Sequence, residues 1–151
     1  VAEVNEGRKP IILGFGGNNT NAMLRSLENT DTKAVDGLLI ASPYYNKPTQ
    51  KGLLSHYGEI SKNTDLDIML YNVPGRTGNN ILPNTVHRLA KDCDNIIGIK
   101  EASGNMEQVM EVIDGQPEDF VTLSGEDPLT LPMMACGAEG VISVTGNAYP
   151  G

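Results

Sequence analysis

Six short apolar runs, each followed by residues with helical spacing, constrain this chain more than any other feature. The runs cover residues 9–14, 34–41, 68–71, 96–100, 120–123 and 141–144. Runs this apolar suit parallel strands buried on both faces. Between them the spacing predicts five helices. Thr20 reads as the N-cap of the first, which extends to about residue 31. Thr49 caps the second, with Leu53, Leu54, Tyr57 and Ile60 on one face. The third covers 82–91 and is entered through Pro83. Met106, Val109, Met110, Val112 and Ile113 stripe the fourth, a core pattern. The fifth follows Asp127 and Pro128 and ends at Gly137, a glycine suited to the position after a helix.

Strand centres recur at roughly the size of a βα unit, about 20 to 30 residues. Strict alternation allows two α/β architectures, a doubly wound sheet or a (β/α)8 TIM barrel. The barrel is favoured because unusual polar residues follow nearly every strand at its C-terminal end, where barrel enzymes build their sites. A complete barrel needs eight units and about 250 residues. The 151 residues here are therefore expected to be a fragment, one partial barrel catalytic domain over 1–151, truncated at both ends. Val1 and the Pro150-Gly151 end read as cuts. An open set of barrel strands exposes two unpaired edges, so the fragment alone is expected to be inactive and poorly soluble.

Charge and composition exclude several classes. With 11 basic and 19 acidic residues the net charge is −8, which argues against a nucleic-acid partner. No apolar run approaches the length that crosses a bilayer. Cys93 and Cys136 are far apart with no CxxC spacing, and Cys136 reads as packing, so a reducing, cytoplasmic location is expected. His56 and His87 lie in helical patterns without a second ligand at metal spacing. Gly14-Phe15-Gly16-Gly17-Asn18-Asn19 has Asn where a dinucleotide-binding loop needs its third glycine, and no Walker lysine follows. Neither a cofactor nor a metal is expected.

The chemistry sits where the third and fourth runs end. Lys100 closes an apolar strand, where a charged amine is costly, which makes it a candidate for a lowered pKa and for amine chemistry. The bland alternative is a surface lysine paired with Glu101. Tyr71 closes the preceding strand, adjacent in a barrel, and a phenol there can move protons. Arg76 follows on a Pro/Gly turn and offers a planar fork to a carboxylate. Amine, phenol and guanidinium at one rim suit Schiff-base chemistry on a keto acid.

Ser42-Pro43-Tyr44-Tyr45-Asn46-Lys47-Pro48, Tyr71-Asn72-Val73-Pro74-Gly75-Arg76-Thr77-Gly78, Ile97-Gly98-Ile99-Lys100-Glu101-Ala102-Ser103-Gly104 and Gly140-Val141-Ile142-Ser143-Val144 resemble the dihydrodipicolinate synthase family, in the right order through the whole chain. The resemblance implies the third to eighth strands of that family's barrel. It implies a lyase of the diaminopimelate branch of lysine biosynthesis that joins pyruvate to aspartate semialdehyde through a lysine imine. Lys100 would form the imine and Tyr71 would donate and accept protons above it. Arg76 would hold the semialdehyde carboxylate. Tyr45 would extend the proton relay into a neighbouring subunit, Tyr44 would pack at that interface, and Gly125 and Ile142 would line the pocket. The family implies a homotetramer built as a dimer of dimers. Ala22 stands where lysine-sensitive members use a glutamate near the positions of Asn18 and Tyr44, so weak or no feedback inhibition by lysine is expected. Sialic acid lyases and sugar-acid aldolases share the fold, lysine and tyrosine, and remain the alternative, together with a non-catalytic barrel segment.

Overall fold

A computed structural model describes residues 1–150. The chain is an α/β unit around one parallel sheet. Its strands are β1 (Ile12–Gly14), β2 (Gly37–Ala41), β3 (Asp67–Asn72), β4 (Ile96–Glu101), β5 (Val121–Ser124) and β6 (Gly140–Val141). Its helices are α1 (Ala2–Asn5), α2 (Thr20–Glu28), α3 (Gln50–Ser61), α4 (Pro74–Thr77), α5 (Pro83–Asp92), α6 (Met106–Gly115) and α7 (Thr130–Ala135).

Strand order in the sheet is the order in the chain, β1-β2-β3-β4-β5-β6, and every pair is parallel. A doubly wound sheet reverses direction at a switch point. Here each crossover steps the same way, so right-handed connections put the helices on one face, as in a barrel wall. The helices accordingly pack in sequence, α2 on α3, α3 on α5 and α5 on α6. One continuous core joins Met23, Leu53, Tyr57, Ile60, Val86, Leu89 and Val112 of the helices to Leu38, Ile40, Ile68, Leu70, Ile96 and Ile99 of the strands. Tyr57 is wholly buried and donates its hydroxyl to the Ile40 carbonyl at 3.1 Å, which satisfies the phenol inside an apolar layer. Burial pushes that phenol's pKa up.

The central strands are buried on both faces, with Met69 and Lys100 covered on the side away from the helices, but the outer strands are not. Leu38 and Ile40 are fully buried, whereas Leu39 and Ala41 are only partly covered and Ile12 is exposed. The face away from the helices has no layer upon it among the described residues.

Several expected boundaries move for local reasons. Asn19, not Thr20, caps α2: its side chain accepts from the Ala22 N–H, and Thr20 pairs its hydroxyl with His56 Nδ1 at 2.8 Å. That helix stops at Glu28 because Asn29 and Thr30 turn their side chains back onto the Arg25 and Ser26 carbonyls. Thr49 caps α3 as expected. β1 is shorter than predicted because the Ile11 N–H is taken by the Asp36 carboxylate. The run at 141–144 keeps only its first residue as strand. Beyond it Ser143 accepts from the Gly146 N–H, and Asp127 accepts from the N–H groups of Val144 and Thr145. Those bonds to an exposed carboxylate, Thr145 foremost, hold Asp127 below the usual carboxylate range. The last predicted helix divides into a 3-10 turn over Asp127–Leu129 and α7. The one-turn helices α1 and α4 carry no apolar period and were not anticipated.

Candidate active site

β3 and β4 are the two central strands, and their C-terminal ends carry the site. The register pairs Met69 with Gly98, Leu70 with Ile99, Tyr71 with Lys100 and Asn72 with Glu101. Paired residues of parallel strands share a face, so Tyr71 and Lys100 lie together and away from the helices. A register shift sits just before, where Ile68 pairs with Ile96 but Met69 with Gly98. Ile97 is the extra residue, a bulge that resets the alternation of β4. Gly98 follows because a Cβ there would stand 2.6 Å from the Val121 carbonyl oxygen.

Lys100 is 8% exposed, and its Nζ lies 4.2 Å from the centroid of the Tyr71 ring. At that distance the ring face stabilises a cation and the phenol edge borders the same space. Lys100 and Glu101 are not an ion pair: among the described residues the one salt bridge joins Arg88 and Asp92. Glu101 faces the helices instead. Gly125 closes the far side of the lysine. Its N–H donates to the Glu101 carbonyl at 2.8 Å, and a Cβ on it would meet Lys100 Cε at 2.9 Å and Ala102 Cβ at 2.8 Å. The lysine stem is thus held between a tyrosine ring and a backbone that admits no side chain.

The other predicted residues lie on loops, α4 and strand ends and, among the described residues, make no hydrogen bond to this pair. Arg76 is exposed on α4 and makes no salt bridge among the described residues. Tyr44 and Tyr45 occupy the loop after β2, which rests on the loop that carries Arg76: the Tyr45 N–H donates to the Thr77 carbonyl. Tyr45 is 87% exposed and Tyr44 48%. Tyr45 and Lys47 both hold positive φ, 71° and 47°, a conformation that costs a non-glycine residue free energy. Ile142 continues β6 by donating its N–H to the Ser124 carbonyl at 2.9 Å and is half-buried. Among the described residues no group of three His, Cys, Asp or Glu side chains is arranged to hold a metal ion.

Sequence reasoning missed a polar cluster on the opposite side of the same strand ends. Asn72 and Glu101, each one residue beyond Tyr71 and Lys100, are buried and bonded to each other, with Asn80 and Gln108 completing the group. The signal was strand parity: the neighbour of an inward residue must face the helices.

The profile of the dihydrodipicolinate synthetase family matches residues 1–151. A 4-hydroxy-tetrahydrodipicolinate synthase from Porphyromonas gingivalis is 54% identical over 150 residues, 99% of this chain and 50% of that protein. One from Flavobacterium psychrophilum is 49% identical over 150 residues, 99% of this chain and 51% of the relative. The solved 4-hydroxy-tetrahydrodipicolinate synthase of the thermoacidophilic methanotroph Methylacidiphilum fumariolicum superposes with a TM-score of 0.95 at 44% identity, covering 99% of this chain and 50% of that one. The chain spans about half the length of the relatives it matches.

Proposed function

Because this chain belongs to the dihydrodipicolinate synthetase family, we propose that it carries the imine-forming half of a 4-hydroxy-tetrahydrodipicolinate synthase, supplying the third to eighth strands of a (β/α)8 barrel within one catalytic domain. The observation that carries this reading is the pair of Lys100 Nζ and the Tyr71 ring, 4.2 Å apart at the C-terminal ends of two paired strands. The half-length match and the edge strands β1 and β6, each paired on one side only, support a larger barrel as the working unit. Residues 1–151 alone are proposed to be inactive.

The chemistry follows from the groups present. The Lys100 amine adds to the ketone of pyruvate, and loss of water leaves an imine whose nitrogen, once protonated, draws electrons from the adjacent methyl carbon. Loss of a methyl proton gives an enamine. Its carbon attacks the aldehyde of aspartate semialdehyde, forming the new C–C bond, and the product cyclises as the lysine is released. Tyr71 is the proton donor and acceptor, since its ring borders the amine and its phenol can give up and take back a proton there. Arg76, exposed and unpaired among the described residues, is the carboxylate holder for the incoming semialdehyde. Gly125 and Ile142 line the pocket with backbone.

Tyr45 and Tyr44 are assigned to a subunit interface, with Tyr45 entering the neighbour's proton relay. Two exposed tyrosines on a strained loop are poorly suited to lie in water and well suited to pack against a protein surface. The homotetramer, a dimer of dimers, is proposed from the family resemblance. The free thiols Cys93 and Cys136 support a cytoplasmic assignment.

The test is turnover by the full-length protein. Pyruvate with aspartate semialdehyde should give product, while N-acetylneuraminate cleavage and sugar-acid condensation should be slower by orders of magnitude. The reverse preference would make the protein a sister aldolase. No turnover with any of them, in folded protein, would leave a structural segment.

A further inference from the structure

Glu101 is 1% exposed, ionisable and unused by the chemistry above. Its Oε2 accepts from Asn72 Nδ2 at 2.9 Å and from Gln108 Nε2 at 3.1 Å, and its Oε1 accepts from the Ser103 N–H at 2.6 Å. The three donors come from β3, from α6 and from the loop between β4 and α6.

The amide orientations are not arbitrary. The Ile81 N–H can only donate, and it donates to Asn72 Oδ1 at 3.0 Å, so Asn72 turns its nitrogen to Glu101 and to Asn80 Oδ1. Asn80 then has its nitrogen left for Gln108 Oε1 at 2.7 Å, which turns the Gln108 nitrogen to Glu101. Every group around the carboxyl is a donor, and the carboxylate is the form with an acceptor for each. No cation joins it, since Arg88 and Asp92 form the one salt bridge among the described residues.

Neutral amides already tie these strand ends together, and a buried charge is costly where packing alone is wanted. A carboxylate one residue from Lys100 has a use that an amide lacks. We propose that Glu101 is a positioning residue acting through Lys100 and Tyr71. It locks the ends of β3, β4 and α6 so that the two side chains stay opposed, and its buried negative charge stabilises the cation that Lys100 carries as ammonium or protonated imine. This rests on the reading of Lys100 as the imine-forming lysine.

The experiment uses the full-length protein. The initial rate of borohydride trapping with pyruvate is followed against pH for the native protein, Glu101→Gln and Glu101→Asp, with the folded fraction measured by circular dichroism. Removing a negative charge destabilises a nearby cation. The pH midpoint of trapping should therefore fall by about half to one unit in Glu101→Gln. Its kcat should fall about tenfold with the KM for pyruvate within about twofold. Glu101→Asp keeps the charge and should restore the native midpoint. Native trapping with an unmoved midpoint in folded Glu101→Gln overturns this inference alone. Native protein that traps no pyruvate overturns the reading of Lys100, and this inference with it. Should Glu101→Gln fail to fold, Gln108→Met decides the matter, because it withdraws one donor and leaves the carboxylate. A kcat at least about threefold lower at unchanged KM supports the proposal, and a native kcat overturns it.

Discussion

On β3, Ile68 and Leu70 are fully buried in the cluster shared with α3 and α5, while Tyr71, one residue beyond Leu70, turns to the other face and stays partly open. β4 repeats the division, with Ile99 buried against the helices and Lys100 opposite it beside Tyr71. The helix-side face carries the hydrophobic free energy, about 1.5–3 kcal/mol for each large side chain buried. The other face carries the reactive groups and has an incomplete cover, from half-buried Leu39 and Leu123 to exposed Ile12. Fold and chemistry are thus interleaved along the same strands and separated only by parity. Adjacent substitutions should then fail in different ways, one by unfolding and the next by silencing the site.

The largest effect expected from breaking that separation is at Lys100. Lys100→Met in the full-length protein removes the amine with little change in volume. kcat/KM should fall on the order of 10⁴-fold or more, with a melting temperature close to native. Tyr71→Phe keeps the ring against the lysine and removes the phenol, so kcat should fall about 10²–10³-fold in steady-state assays. Gly125→Ala places a methyl 2.9 Å from Lys100 Cε and must displace the lysine, at a cost of about 10–100-fold in kcat. On the opposite face, Leu70→Ala should cost about 2–5 kcal/mol in urea unfolding while activity per folded molecule stays within about twofold. A Leu70→Ala protein that is native in stability but catalytically dead would erase the distinction between the faces.

The smallest effect comes from His56, buried at the helix-side layer, where desolvation lowers its pKa from 6.5 to about 4. Between those values the unfolded chain binds a proton that the native imidazole refuses. Stability from this group is therefore complete above pH 6.5 and is lost as pH falls toward about 4. Native protein should lose about 2 kcal/mol more than His56→Gln between pH 7 and pH 4.5 in paired urea titrations.

Much of this was legible in the sequence. The alternation of apolar runs and helical spacing marked six strands, and Tyr71 and Lys100 closed consecutive runs, which sufficed to bring them together. What was hidden was hidden for physical reasons. The run Ile96-Ile97-Gly98-Ile99 is apolar throughout and cannot reveal the bulge that decides which way Lys100 points. Glu101, beside Lys100 in sequence, offered the bland alternative of an ion-pair partner, yet strand geometry sends neighbouring side chains to opposite faces. The two-residue β6 and the division before α7 depend on Asp127 and Ser143 capturing backbone N–H groups, bonds between distant or turn residues that periodicity does not register. Tyr44 and Tyr45 stood out by motif alone and Arg76 also by its guanidinium on a Pro/Gly turn, and all three are exposed.

One measurement bears most directly on the role given to Lys100. The full-length protein is incubated with pyruvate, reduced with borohydride, digested and sequenced by tandem mass spectrometry. The account predicts N-(1-carboxyethyl)lysine at position 100, lost on omission of pyruvate. An adduct confined to another lysine, or no adduct on folded protein, would contradict it.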